Sequence, residues 1–290
     1  MTDNIILKSV GGFYYVKSGD NIIECKAKGK FRNLSLSPVA GDIVDIESDG
    51  STTVISKIHE RKNKFIRPPF ANLELMILVV STIEPSPNYL VIDKMCAIAR
   101  HKNVDVAIVV TKSDVSEWKQ IYDTYTQAGY QVFCTGANDA EQLTELRKIM
   151  AGKLCAFSGN SGVGKSTLLN KLFPQLQLET GRISKKLGRG KHTTRQVEIF
   201  QMEDCMVADT PGFSSVELDY DNFISKTDLQ YAFIEFEKYI GECRFSDCSH
   251  TNEIGCAVKT ALATGDISES RYESYCTLYD RQKNIKDWEL

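Results

Sequence analysis

Gly159-Asn160-Ser161-Gly162-Val163-Gly164-Lys165-Ser166 is the stretch on which the fold turns. It fits the pattern G-x-x-x-x-G-K-[ST]. The setting fits too, with the apolar run Leu154–Ser158 leading in and a helix carrying Leu168, Leu169 and Leu172 leading out. Such glycines let backbone N–H groups converge with a helix N-terminus on an anion. Lys165 then supplies a point charge to the β- and γ-phosphates of a nucleotide. The Ser166 hydroxyl supplies a ligand to Mg²⁺, and Thr167 completes the first turn. A fortuitous glycine-rich turn is the competing reading, and the flanking pattern disfavours it.

Upstream, Thr111-Lys112-Ser113-Asp114 follows the apolar run Val104–Val110 and resembles the N-K-x-D motif of guanine-nucleotide-binding proteins. A carboxylate at Asp114 can accept paired hydrogen bonds from guanine N1–H and the 2-amino group. Adenine would leave it unpaired, which is the argument against an ATPase. Lys112 would lay its stem over the base. Thr111 stands where asparagine is usual, which leaves the accessory contact to the phosphate loop open. The alternative is a solvated turn in which Asp114 or Ser116 caps a helix beginning at Glu117. Thr135-Gly136-Ala137 sits where a loop would back the guanine O6 with N–H groups.

Downstream, Asp209-Thr210-Pro211-Gly212 fits a D-x-x-G element, with Asp209 holding Mg²⁺ through water and the Gly212 N–H meeting the γ-phosphate. Between the two lies Gly188 to Thr194, where Thr193 or Thr194 completes the magnesium shell. Phe213 occupies the place of the glutamine that orients water in many GTPases. His192 is the nearest substitute for positioning water, although a lone histidine in a loop is more often a surface residue. The order is therefore guanine motif, base-backing loop, phosphate loop, first switch, second switch. A sheet tolerates such a cut and rejoining because strand pairing is preserved.

Outside this core the pattern changes twice. Five strand-like runs, Ile5–Val10, Phe13–Lys17, Ile22–Lys28, Asp42–Glu47 and Thr52–Ile58, alternate with glycine-rich turns. They predict a small barrel, of oligonucleotide-binding (OB) type or SH3-like. From Leu75–Val80 to Cys205–Ala208, apolar strands alternate with helices at Asn88–His101, Glu117–Ala128, Glu141–Met150 and Lys165–Leu172. This predicts a largely parallel sheet covered on both faces. After Pro211 helices are predicted at Asp228–Ile240, Ala257–Ala263 and Ser268–Asp287. The expected domains are residues 1–70, 71–215 and 216–290.

Cys243, Cys248, His250 and Cys256 offer three thiolates and an imidazole within a polar loop, a closed tetrahedral set for Zn²⁺. Glu242, Asp247 and Glu253 are read as solvated or supporting. The chain has nine cysteines, and Cys25, Cys96, Cys134, Cys155 and Cys205 stand singly, several within apolar runs, as small core residues. With 42% hydrophobic and 25% charged residues in 290, disordered and fibrous classes are excluded. No apolar run reaches membrane-spanning length and no export signal precedes the first strand, so a cytoplasmic protein is expected. The net charge of −3 does not suggest nucleic acid. Two local runs do: Gly181–Arg195, with six Lys or Arg and no acid, and Lys57–Arg67.

The permuted order, a barrel before it and a cysteine-rich knuckle after it, resembles the ribosome small-subunit-dependent GTPase A family. The resemblance rests on Gly159–Thr167, Leu187–Arg195, Val207–Ser215 and the cysteine cluster, and covers essentially the whole chain. It implies an α/β fold, with a circularly permuted P-loop GTPase domain between an N-terminal OB-type β-barrel and a C-terminal helical zinc-binding domain. It also implies a monomeric cytoplasmic factor that binds GTP and GDP, the small ribosomal subunit and its rRNA, and hydrolyses GTP when the subunit stimulates it. A platform that holds GTP without turning it over is the alternative, kept open by Phe213. The short link from the second switch to the C-terminal region suggests that nucleotide state moves that region.

Overall fold

The computed structural model describes residues 4–29, 31, 36–48, 50, 52–176, 197–209 and 222–283. Residues 177–196 and 210–221 lie outside it, and with them His192, Thr193, Thr194, Gly212 and the basic run Gly181–Arg195.

Five strands, β1 (Asn4–Val10), β2 (Phe13–Ser18), β3 (Asn21–Ala27), β4 (Ile43–Ser48) and β5 (Thr53–Ile58), close into a barrel of order β1-β2-β3-β5-β4. Its interior is a small core of Ile6, Val16, Cys25, Phe31, Val44 and Ile55. β3 pairs parallel with β5 while β4 returns to β1. That Greek-key closure is OB-type and resolves the barrel alternative. A short ribbon, β6 (Lys64–Phe65) with β7 (Phe70–Ala71), leads into the sheet. No sequence pattern announces this ribbon, since two-residue strands carry no periodicity. It also changes the reading of the basic run. Arg61 is held by the buried Asp42 at 2.7 Å, and Lys62 pairs with Glu74 at 3.0 Å.

The six-stranded sheet runs β10-β9-β8-β11-β13-β12. Its strands are β8 (Leu75–Ser81), β9 (Asp105–Thr111), β10 (Gln131–Thr135), β11 (Leu154–Ser158), β12 (Glu198–Gln201) and β13 (Met206–Asp209). All pairings are parallel except the edge pair β12/β13. Along β8, Met76, Leu78 and Val80 enter one core while Leu75, Ile77 and Val79 enter the other, the period-two alternation of a strand covered on both faces. The chain enters at β8 and works outward through β9 to β10. It then crosses back to β11 on the other side of β8, so the direction of winding reverses between β8 and β11. Crevices at such a reversal lie beyond the carboxyl ends of the strands, and both motif loops emerge there.

Helix α1 (Tyr89–His101) begins where Asn88 accepts from the Val91 N–H at 3.2 Å. Every residue from Ile92 to Ala99 is buried. A helix buried all round needs cover on both sides. The sheet gives one side and the C-terminal region the other. Among the described residues the other α-helices are α2 (Lys119–Gln127), α3 (Ala140–Met150), α4 (Lys165–Leu172), α5 (Ala257–Thr264) and α6 (Glu269–Lys283).

The helix expected over Asp228–Ile240 is instead two 3-10 turns, Leu229–Ala232 and Ile234–Tyr239, with Phe233 extended between them. Phe233 and Phe236 both turn inward against Tyr275, at 5.3 and 4.8 Å between ring centroids. Glu235 is drawn inward as well, to Arg271. Burying three successive kinds of group on one side overrides the helical pattern.

Candidate functional site

Backbone geometry makes the phosphate loop before any ligand arrives. Gly159 has φ +146°, and a Cβ there would lie 2.3 Å from the Val79 carbonyl oxygen, so the turn out of β11 excludes side chains. Gly164, at φ +96°, leads into α4. Asn160 and Ser161 are exposed on the loop, Val163 is buried beneath it, and Ser166 and Thr167 open the helix. The Lys165 ammonium bends back onto the carbonyls of Gly159 and Asn160, the latter at 2.7 Å. Burial pushes its pKa down to about 8. A phosphate in the loop would replace those carbonyls as the partner of the charge.

The guanine motif sits beside this loop. Thr111, on the last residue of β9, donates from Oγ1 to the Val163 carbonyl at 2.6 Å. The contact left open by the absence of asparagine is thus made by a threonine. Lys112 has φ +59°, which turns the chain so that its ammonium reaches the carbonyls of Ile83 at 2.9 Å, Glu84 at 2.8 Å and Gly162 at 3.3 Å. Its stem therefore bridges the loop after β8 and the phosphate loop. The Ser113 N–H donates to the Thr135 carbonyl at 3.2 Å. Asp114 lies against Gly136 so closely that a Cβ on the glycine would fall 2.7 Å from Oδ1. Helix α2 starts only at Lys119, with Trp118 at the cap position and no side-chain capping bond, so Asp114 and Ser116 do not serve as its caps.

Asp209 ends β13 opposite Glu198 of β12. Burial, and the neighbouring Glu198 carboxylate, push its pKa up to about 6. Glu198 in turn is held at 2.6 Å by Lys8 of the barrel. A divalent cation near Asp209 and Ser166 would relieve the crowding of carboxylates.

The four metal-ligand candidates converge. Their ligand atoms lie within 4.8 Å of one another, with Cys243 Sγ and Cys256 Sγ each 3.5 Å from His250 Nδ1 and 3.9 Å apart. A tetrahedral zinc with Zn–S near 2.3 Å has ligand–ligand edges of about 3.8 Å, so the set fits such an ion. Without a cation, burial raises the Cys248 thiol to about 12, so a metal must displace protons to bind. His250 offers Nδ1 because its Nε2 is 2.9 Å from Gln230 Oε1, which fixes the ring. No helix or strand lies between Tyr239 and Ala257. Glu253, read as solvated or supporting, organises this loop. It accepts from the Ser249, Thr251 and Asn252 N–H groups and the Ser249 hydroxyl, which with these bonds holds its carboxyl down at about 2 despite some burial.

One site residue was missed: Lys171, in no motif, contacts the base-backing loop. Its only sequence signal was position, two turns into the helix after the phosphate loop.

A sheet whose guanine motif precedes its phosphate loop, with both at one crevice, defines a circularly permuted GTPase. The family profile described as RsgA GTPase matches residues 58–219, and the RsgA N-terminal domain profile matches residues 4–55. The chain belongs to the RsgA GTPase family. The small ribosomal subunit biogenesis GTPase RsgA of Alkaliphilus metalliredigens is 41% identical over 95% of this chain and 96% of its own length. The protein of the same name from Halalkalibacterium halodurans is 40% identical over 98% of each. Among solved structures, YloQ, described as a circularly permuted GTPase, superposes with TM-score 0.80 at 30% identity, covering 99% of this chain and 96% of its own. YjeQ from Thermotoga maritima gives 0.82 at 30% identity, over 98% and 99%. Among the described residues no helix is long and apolar enough to cross a membrane.

Proposed function

We propose that this chain is a GTPase of small ribosomal subunit biogenesis, binding GTP and GDP at the crevice beyond β8, β9 and β11. The single observation that carries this reading is the convergence of Thr111-Lys112-Ser113-Asp114 and Gly159–Thr167, held together by the Thr111–Val163 and Lys112–Gly162 bonds. Its relatives' names supply the ribosomal context. Asp114 reads the guanine edge and Thr135-Gly136-Ala137 backs O6. Lys165 swings from the loop carbonyls to the β- and γ-phosphates and lowers the barrier as negative charge shifts between them. Ser166, Asp209 and Thr193 or Thr194 hold Mg²⁺, which neutralises phosphate charge when bound. The Gly212 N–H meets the γ-phosphate, and His192 orients the attacking water in place of Phe213.

Cys243, Cys248, His250 and Cys256 hold one structural Zn²⁺. The barrel and the basic first switch touch rRNA, and the protein works as a cytoplasmic monomer. We take residues 1–70, 71–215 and 216–290 as its three domains. A platform that holds GTP without hydrolysis is not favoured, since the relatives are named as GTPases. The deciding experiment is GTP turnover with and without small subunits. Stimulated turnover, lost in Lys165→Ala and lowered in His192→Ala with GTP affinity intact, supports the reading. Turnover indifferent to the subunit overturns it.

A further inference from the structure

Lys171 lies on α4, the helix that grows out of the phosphate loop, and its side chain reaches sideways to the loop after β10. Its ammonium donates to the Gly136 carbonyl at 2.8 Å and to Asp139 Oδ2 at 2.7 Å. Asp139 occupies the N-cap position of α3 yet makes no side-chain capping bond there. An aspartate at that position ordinarily gives its carboxylate to the first-turn N–H groups. Here the carboxylate is directed to Lys171 instead, and it is buried, with only 8% of the side chain exposed. The carboxylate end of the pair is therefore shielded from water, which strengthens it relative to a fully exposed contact, although the Lys171 side chain is 37% exposed.

The second acceptor matters more. In a trans peptide the carbonyl and the following N–H point in opposite directions. Fixing the Gly136 carbonyl toward Lys171 thus aims the Ala137 N–H away from α4. The neighbouring Cα of Gly136 is pressed against the Asp114 carboxylate, where a Cβ would come within 2.7 Å of Oδ1. Lys171 therefore holds the plane of one peptide next to the group that reads the base.

We propose that Lys171 is a positioning residue for base discrimination, pinning the 135–139 loop so that its N–H groups face the 6-oxo oxygen of guanine. The inference rests on the guanine-nucleotide reading above. It makes selectivity depend on a residue in the phosphate-loop helix, outside all motifs of the site.

The test compares two ligands on the full chain: GDP, and 2-aminopurine riboside diphosphate, which keeps the 2-amino group but lacks the 6-oxo oxygen and, with it, the N1–H. Lys171→Met retains the aliphatic stem. It is expected to weaken GDP binding by about tenfold, the loss of roughly 1.4 kcal/mol from a charge-assisted tether, and to leave the analogue's affinity unchanged. Lys171→Arg should restore the preference. Asp139→Asn, a second variant for the case in which Lys171→Met folds poorly, should shift the ratio in the same direction by less. Equal weakening of both ligands, or no change in either, overturns the proposal. A wild-type protein that binds the two ligands equally instead defeats the guanine reading itself, so the two failures are distinct.

Discussion

Two regions flank the central sheet, and each is joined to it through ion pairs, but of opposite kinds. On the C-terminal side, Arg271 of α6 is 1% exposed. It bonds Glu235 at 2.6 and 2.9 Å and Asp93 of α1 at 2.7 Å, and its guanidinium lies 4.6 Å from the Phe233 ring centroid. Tyr125 of α2 donates to the same Asp93 oxygen at 2.8 Å. The apolar residues around this clamp, Phe233, Phe236 and Tyr275, belong to the same core as Met76, Leu78 and Ile98. On the N-terminal side the barrel encloses a small core of its own, while Ile5 and Leu7 on the outward face of β1 join the core that holds Met76 and Leu78. Its ion pair to the sheet, Lys8 with Glu198, has side chains 37% and 32% exposed.

The contrast separates attachment from assembly. A buried charged cluster demands all of its partners at once, whereas a half-exposed pair can open without leaving a charge stranded. The C-terminal region thus shares buried charges with the helices on the sheet, while the barrel encloses its own interior and meets the sheet through the outward face of β1 and a half-exposed pair. Permutation makes this possible. Because the chain leaves the sheet after β13 rather than at α3, it is free to return across α1 and cover the face that would otherwise be open.

The contrast can be broken in several ways. The largest expected effect is metal removal. Chelation, or Cys256→Ser, should abolish protection of amides across residues 241–256, since no helix or strand holds that loop. A loop that stays protected without metal would show that Glu253 and the aromatic packing suffice. Next, Arg271→Met leaves Asp93 and Glu235 buried without their partner. A loss of about 3–5 kcal/mol in urea unfolding is expected, in a single transition that includes the sheet. A loss below about 1 kcal/mol would place the clamp among the dispensable pairs.

Asp209→Asn sharpens the comparison at the edge strand. The folded protein holds a proton on Asp209 up to about pH 6, whereas the unfolded chain releases it near 3.8. The folded state therefore binds more protons in that window, and stability falls as pH rises from about 4 to 6. Above pH 6 the ligand-free Asn variant should be the more stable protein, by on the order of 1 kcal/mol, while binding Mg²⁺ nucleotide worse. Equal melting temperatures at pH 7 would contradict this. The smallest effect is expected from Lys8→Met, within roughly 1 kcal/mol and weaker still at high salt.

Much of this was legible in the sequence. The barrel and sheet strands fall within a residue or two of their expected limits, because alternation and uninterrupted apolar runs are local signals. The phosphate loop, the guanine motif and the Cys/His set are likewise contiguous. What escaped depends on distant pairs. Nothing near Arg271 announces Asp93, 178 positions away, and nothing near Lys171 announces Asp139. The helix expected at Asp228–Ile240 failed for the same reason. Its inward face is set by Arg271 and Tyr275, which follow later in the chain. Thr111 is the intermediate case, since its hydroxyl was visible but its partner, the Val163 carbonyl, was not.

If the C-terminal region folds as part of the sheet, the short link from the second switch is not its only mechanical connection, and any motion must carry α1 with it. Native-state hydrogen exchange on the full metal-loaded chain tests this most directly. The amides of α6 should open with the same free energy as those of β8, and those of β2 and β3 at a lower one. Exchange of α6 at a free energy well below that of β8 would contradict the account.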